Sequence, residues 1–209
     1  MNRLDRAVIA GLVLVVVLAA VAIGGPAFAP RDLVPTPSGQ PSVAPTAPYR
    51  EGVLGRPTNV NPLATRTQAD RDLVALLFPG LVGRDDGARP VPALARSWTS
   101  TNDGSSWTFA LDPGAQWQDG EPLTADDVVF TIETLQNPGF RGPGAGSWTG
   151  ITVSAVDAAT VTFELTTPLG GFLDLATQPI APAHLLANTP VESMADDPFG
   201  TSPIGSGPY

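Results

Sequence analysis

The chain has 209 residues, with 11 basic residues, all of them arginine, against 20 acidic ones, a formal net charge of −9 and a pI near 4.3. That balance, with no basic stripe in the globular region, repels a polyanion and excludes nucleic acid as a partner. The absence of cysteine and a single histidine, His184, exclude disulfides and thiolate chemistry and leave little for a transition metal, so neither a metal nor a cofactor is expected.

From Ala7 to Ala29 no residue is charged, and Val8 to Ile23 is almost wholly Val, Leu, Ile and Ala behind Arg3 and Arg6. A stretch of this kind can cross a hydrocarbon core of roughly 30 Å as a helix, with the arginines holding its start in the cytoplasm. Residues 1–29 are therefore expected to be a membrane anchor, or a signal segment cleaved after Ala27-Phe28-Ala29; the apolar core is long for a cleaved signal, and Pro30 follows the cut. Prolines at 30, 35, 37, 41, 45 and 48 then mark residues 30–48 as an extended linker that cannot pack.

The globular part, residues 49–209, opens with an expected strand at Tyr49 to Leu54 and a turn-rich loop from Gly55 to Pro62. Thr67 caps a helix with Asp70 at the capping-box position and Leu73, Leu76 and Leu77 on one face. Pro79-Gly80 ends it, Leu81-Val82 resumes extended chain, and Arg84 to Gly87 is a turn. A hairpin follows from Leu94 to Thr101 and Ser106 to Leu111 around Asn102-Asp103-Gly104, with Trp107, Phe109 and Leu111 on one face.

Thr124 caps the next helix, whose buried stripe is Val128, Val129, Ile132 and Leu135, and Asn137-Pro138-Gly139 stops it. A Gly-rich loop from Arg141 to Gly146 leads to a second hairpin, Ile151 to Val156 and Thr160 to Leu165. Short helical turns are expected near Phe172 to Ala176 and Ala183 to Leu186. The fold class is α+β, a mixed, mostly antiparallel sheet with hairpins and a few helices. Trp98, Trp107 and Trp117 alternate with apolar neighbours and are expected in the core. Asp126-Asp127 is expected to serve the helix terminus and not a catalytic pair, and His184 is expected on a surface or loop.

Several blocks together resemble one family. They are Ala93-Leu94-Ala95-Arg96-Ser97-Trp98, Asp103-Gly104 with Trp107-Thr108-Phe109, Pro113-Gly114, and Trp117 to Val128, WQDGEPLTADDV. Asn61-Pro62-Leu63, Leu77 to Val82, Val156-Asp157, Ile180 to His184 and Gly205-Ser206-Gly207-Pro208-Tyr209 extend the likeness across residues 49–209. The chain is similar to the family 5 extracellular solute-binding proteins of dipeptide, oligopeptide and nickel ABC importers. Gln118 departs from the histidine or similar polar residue usual there and reads as surface variation.

The resemblance implies a non-enzymatic binding protein outside the cytoplasm, tethered by its N-terminal helix and monomeric. Its implied partners are a peptide or other small solute and a membrane permease. It also implies a two-lobed type II periplasmic-binding-protein fold, of which residues 49–209 would form an incomplete N-terminal lobe, so that the chain is expected to be a fragment. Ligand contacts are implied at two cleft edges: Gly55, Arg56, Pro57, Thr58 and Asn59 after the first strand, and Gly146, Ser147 and Trp148 before the second hairpin. Arg56 could instead be a solvated arginine and Trp148 a cover over the core. The competing reading is a wall-associated adhesion or carbohydrate-binding module, which an anchor, a stalk and a β-rich domain would suit equally well.

Overall fold

The computed structural model describes residues 55–101 and 103–208. The anchor, the linker and the expected first strand lie outside the described residues, among which no helix is long and apolar enough to cross a membrane.

Helix α1, Gln68–Leu77, begins where Thr67 stands in extended conformation and its hydroxyl accepts from the Asp70 N–H, with the Asp70 side chain accepting from Thr67 N in return. The buried positions of α1 are Ala69, Asp70 and Val74, with Leu73 and Leu77 partly buried beside them. Leu76 is 47% exposed, against expectation. At 100° per residue it stands about 200° from Val74, on the opposite side of the helix.

Strands β1, Val82–Arg84, and β2, Pro90–Pro92, pair antiparallel across the Asp85 to Arg89 turn. Strand β2 was not legible in the sequence because two of its three residues are prolines, which argue against a strand. As one side of a two-stranded ribbon it needs few N–H donors.

Strands β3, Ala95–Ser100, and β4, Ser106–Leu111, form the first hairpin, and β5, Ile151–Asp157, and β6, Thr160–Leu165, the second. The turn glycines Gly104 and Gly120 adopt φ of +71° and +93°, the left-handed region in which a side chain is strained. The hairpins join through β4 and β6 into one antiparallel sheet of order β3-β4-β6-β5.

One face of this sheet aligns Trp98 with Phe109 and Phe109 with Val161, and next to them Trp107 with Phe163 and Phe163 with Val153. The other face aligns Thr99, Thr108, Thr162 and Ser154, and the last two share a hydrogen bond of 2.8 Å. Alternation with period two puts the aromatic side chains on one side of the sheet, and that side is the core.

Helix α2, Ala125–Gln136, packs against β5 and β6 through Val128, Ile132 and Leu135, all 1% exposed or less, while Val129 is partly buried. Gln136 Nε2 donates to the carbonyls of Trp148 and Ile151 at 2.9 and 2.6 Å, fixing where the chain enters β5. Short helices α3, Phe172–Leu175, and α4, Ala183–Leu186, follow as expected.

Two 3-10 turns, Val191–Asp196 and Pro198–Thr201, bring Met194 and Phe199 into the core. The segment after them returns to α1. Ser206 N and Gly207 N both donate to Leu77 O, at 2.9 and 2.8 Å, satisfying a carbonyl that the helix end leaves open. Gln118 serves the same junction: its N–H donates to Gly205 O at 2.8 Å, and its Oε1 accepts from Gly205 N at 3.0 Å. Gln118 is at the surface, as expected, and from there also clamps the glycine segment.

Candidate functional site

The N-terminal loop is held by one carboxylate. Asp70 is fully buried, and it accepts backbone N–H bonds from Thr58 (2.6 Å), Asn59 (3.1 Å), Arg66 (3.0 Å) and Thr67 (2.8 Å), with the Thr58 hydroxyl at 3.3 Å. Burial acts to raise the Asp70 carboxyl. The four N–H bonds outweigh it and hold the group well below the usual carboxylate range. The capping-box acid, which sequence reasoning assigned to the helix alone, therefore also folds the loop proposed to meet the solute.

Of the residues named for that edge, Gly55, Arg56, Pro57 and Thr58 are exposed. Asn59 is not: it is 8% exposed, its Nδ2 donates to Ala195 O at 2.6 Å, and its Oδ1 accepts from Asn61 N at 3.0 Å. Asn61, fully buried, makes the parallel bond to Met194 O at 3.1 Å. The Asn59 side chain thus ties the loop to the 3-10 turns and is turned away from solvent. Asn59→Ala is expected to lower folding stability by about 1–2 kcal/mol by leaving buried partners unpaired. Chemical denaturation checks this, and an unchanged midpoint would show that the tie is dispensable.

On the second edge, Gly146 and Ser147 are exposed, but Trp148 is 1% exposed. Its ring lies 5.8 Å from that of Phe163 and 6.1 Å, edge-on, from that of Phe172. An indole placed so belongs to the core, in line with the alternative reading of Trp148 as a cover over it, and offers no side-chain surface to a solute in this arrangement.

The structure brings the two loops together through neighbours of the named residues. Gly142 lies against Leu63, where an added Cβ would stand 2.5 Å from the Leu63 carbonyl oxygen, so only glycine permits the approach. Beside this contact a cleft of about 260 Å³ opens, walled by Pro62 and Thr65 of the first loop, Arg71 and Val74 of α1, Gly144 of the second loop and Gln178. Thr58 and Asn59 line a different hollow with Arg66 and Asp196, and Ser147 a third with Thr149 and Thr166. The named residues thus flank the inter-loop cleft without sharing one cavity. Thr65, Arg71 and Gln178 were missed because their placement depends on contacts between distant segments, although Arg71 on the exposed side of α1 was a signal.

The remaining polar residues hold the structure. Asp127, 4% exposed, accepts from Thr124 N at 2.9 Å, Ala183 N at 2.8 Å and Trp117 Nε1 at 3.4 Å, joining the start of α2 to α4. Asp126 is exposed, so the two acids do not face a common substrate position. His184 is exposed, as expected, and stands on α4, where its Nε2 lies 2.9 Å from Asp119 Oδ2. That hydrogen bond holds the Asp119 carboxyl below its ordinary range. Among the described residues no cluster of three or more His, Cys, Asp or Glu could hold a metal.

The described residues thus form an α+β fold of two joined antiparallel hairpins with a capped helix packed on β5 and β6. The family model "Bacterial extracellular solute-binding proteins, family 5 Middle" matches residues 89–209. The chain belongs to that family, whose members bind solutes and are not enzymes.

It is 30% identical over 162 residues to the oligopeptide-binding protein AppA of Bacillus subtilis, covering 76% of this chain and 30% of that protein. The structure of that AppA in complex with a nonapeptide superposes with a TM-score of 0.70 at 28% identity, over 75% of this chain and 32% of that one. NikZ of Campylobacter jejuni, in complex with Ni(L-His), superposes with a TM-score of 0.67 at 31% identity, over 74% and 31% of the two chains. The chain spans about 30% of the length of the curated relatives it matches.

Proposed function

We propose that this chain supplies one jaw of an extracytoplasmic receptor that captures peptides or related small solutes and delivers them to the permease of an ABC importer. The observation that carries this reading is the cleft where the loop before α1 and the Gly-rich loop after α2 are packed against each other, at Gly142 and Leu63. Two loops meeting at glycine, the first of them fixed from behind by buried hydrogen bonds to Asp70, Asn59 and Asn61, make a preformed wall that needs little ordering when a solute arrives.

An extended peptide would be held through its main chain while its side chains enter hydrated space, so that many sequences are accepted. Closure of a second lobe over this wall would create the state that a permease recognises. Tethering by residues 1–29, a spacer at 30–48 and action as a monomer belong to the same proposal.

The test compares two proteins by titration calorimetry with a nonapeptide. Residues 49–209 alone are expected to give no saturable heat at micromolar concentration, because a solute held on one wall without a closing lobe binds at millimolar affinity at best. A chimaera carrying residues 55–208 in place of the matching part of Bacillus subtilis AppA is expected to give saturable heat. A chimaera that is folded by circular dichroism and silent towards peptides and nickel–histidine would overturn the proposal.

A further inference from the structure

We infer that Arg71 makes the inter-loop cleft selective for a carboxylate on the solute, an inference that rests on the reading of this cleft as the solute site. Among the residues that wall the cleft, Arg71 is the single ionisable one; Pro62, Thr65, Val74, Gly144 and Gln178 are neutral. Its charge is also not answered within the described residues. Arg66, Arg84 and Arg89 each pair with an aspartate at 3.0, 2.6 and 2.7 Å, whereas Arg71, like Arg56, Arg96 and Arg141, forms no ion pair there, and of these four it alone lines the cleft.

What holds Arg71 is neutral and local. Its Nη2 donates to Gln68 Oε1 at 2.9 Å, and Gln68 Nε2 in turn donates to Asp72 Oδ1 at 2.6 Å. One guanidinium nitrogen is therefore oriented by the helix surface, and the rest of the planar fork remains to meet a ligand. Such a fork matches the two oxygens of a carboxylate and meets the N–H₂ of a carboxamide donor to donor. Thr65 and Gln178 also line the cleft, and the Gln178 Nε2 donates to Pro179 O at 3.2 Å.

The chain's net charge of −9 would repel an anion at long range. At 0.1 M salt that field is screened beyond about 10 Å, so selection falls to the group that touches the solute. The carboxylate could be a peptide C-terminus or an acidic side chain, and the chemistry at Arg71 is the same for both.

The test uses nuclear magnetic resonance on the ¹⁵N-labelled full chain with three probes at millimolar concentration: tri-alanine, tri-alanine amide, and acetyl-Ala-Glu-Ala amide. Tri-alanine is expected to shift the amides of Thr65, Gly144 and Gln178, with affinity about tenfold above that of its amide. If acidic side chains are also accepted, the glutamyl probe follows tri-alanine; if only a chain terminus fits, it follows the amide. Either result keeps carboxylate selection and identifies its source.

Arg71→Gln is expected to equalise tri-alanine and its amide, and Arg71→Lys to keep a reduced preference. Arg71 is exposed, so both variants should retain the dispersion of a folded spectrum. Equal shifts from tri-alanine and its amide in the unaltered chain would overturn the role of Arg71 while leaving the cleft as a binding site. No shift near the cleft with any probe would overturn both.

Discussion

Asp70→Ala is expected to lower folding stability by about 3–4 kcal/mol, a large part of the 5–15 kcal/mol typical of a domain. The carboxylate accepts N–H bonds from Thr58, Asn59, Arg66 and Thr67, and its removal leaves those donors without a partner at a fully buried position. Asp70→Asn should do nearly as much harm, because an amide presents one acceptor oxygen and its N–H₂ would oppose donors. Urea denaturation at neutral pH measures both variants.

The pH dependence has a definite sign. The folded carboxyl is held below its unfolded value, so its contribution is fully present above an unfolded pKa of about 4 and is lost as pH falls towards the folded one. The unaltered chain should therefore keep a constant midpoint above about pH 5 and lose stability below about pH 4. Asp70→Asn should start lower and fall less steeply; parallel acid limbs for the two proteins would remove Asp70 from the account.

Phe172→Ala is expected to cost about 3–5 kcal/mol, the range for a large aromatic deleted from a packed core. Phe172 is fully buried in the first turn of α3. Its ring lies 5.3 Å from the rings of Trp107 and Phe163, 6.1 Å from that of Trp148 and 6.2 Å from that of Phe109. A four-residue helix has no stability of its own, so α3 stays in place because this side chain fills the space under the sheet.

Near-UV circular dichroism should lose intensity together with the shift in midpoint, since two of the ring's neighbours are tryptophans. Leu169→Ala, three residues away and 43% exposed, should stay within about 0.5 kcal/mol and serves as the contrast. Equal effects from the two substitutions would mean that the aromatic cluster does not carry the core.

Both expectations show what kind of information was local. Thr67 with Asp70 and Thr124 with Asp127 announce helix starts because a cap joins residues three apart. The hairpins around Asp103-Gly104 and Asp157-Ala158-Ala159 were readable because turn chemistry and alternation act over a few positions. The family likeness rested on the same short-range features, above all the run from Trp117 to Val128.

The candidate site was less legible. Asn59 looked like a loop residue free to meet a solute, with no local sign that it ties to Ala195, and for Trp148 the chain left open both a solute contact and the core position it takes under Phe163. Leu76 fitted an apolar run but fell outside the buried arc of α1.

The amino-acid order by itself determined where α1 and α2 and the two longer hairpins begin and which strand face is apolar, because caps, turns and period-two alternation are set between neighbours in the chain. Tertiary structure alone decided that β4 pairs with β6, that the proline-bearing β2 is a strand, and that Gly142 meets Leu63 to wall a cleft with Arg71 in it. Those outcomes depend on which distant surfaces exclude water together and which buried N–H groups find acceptors, and no short stretch of sequence records either.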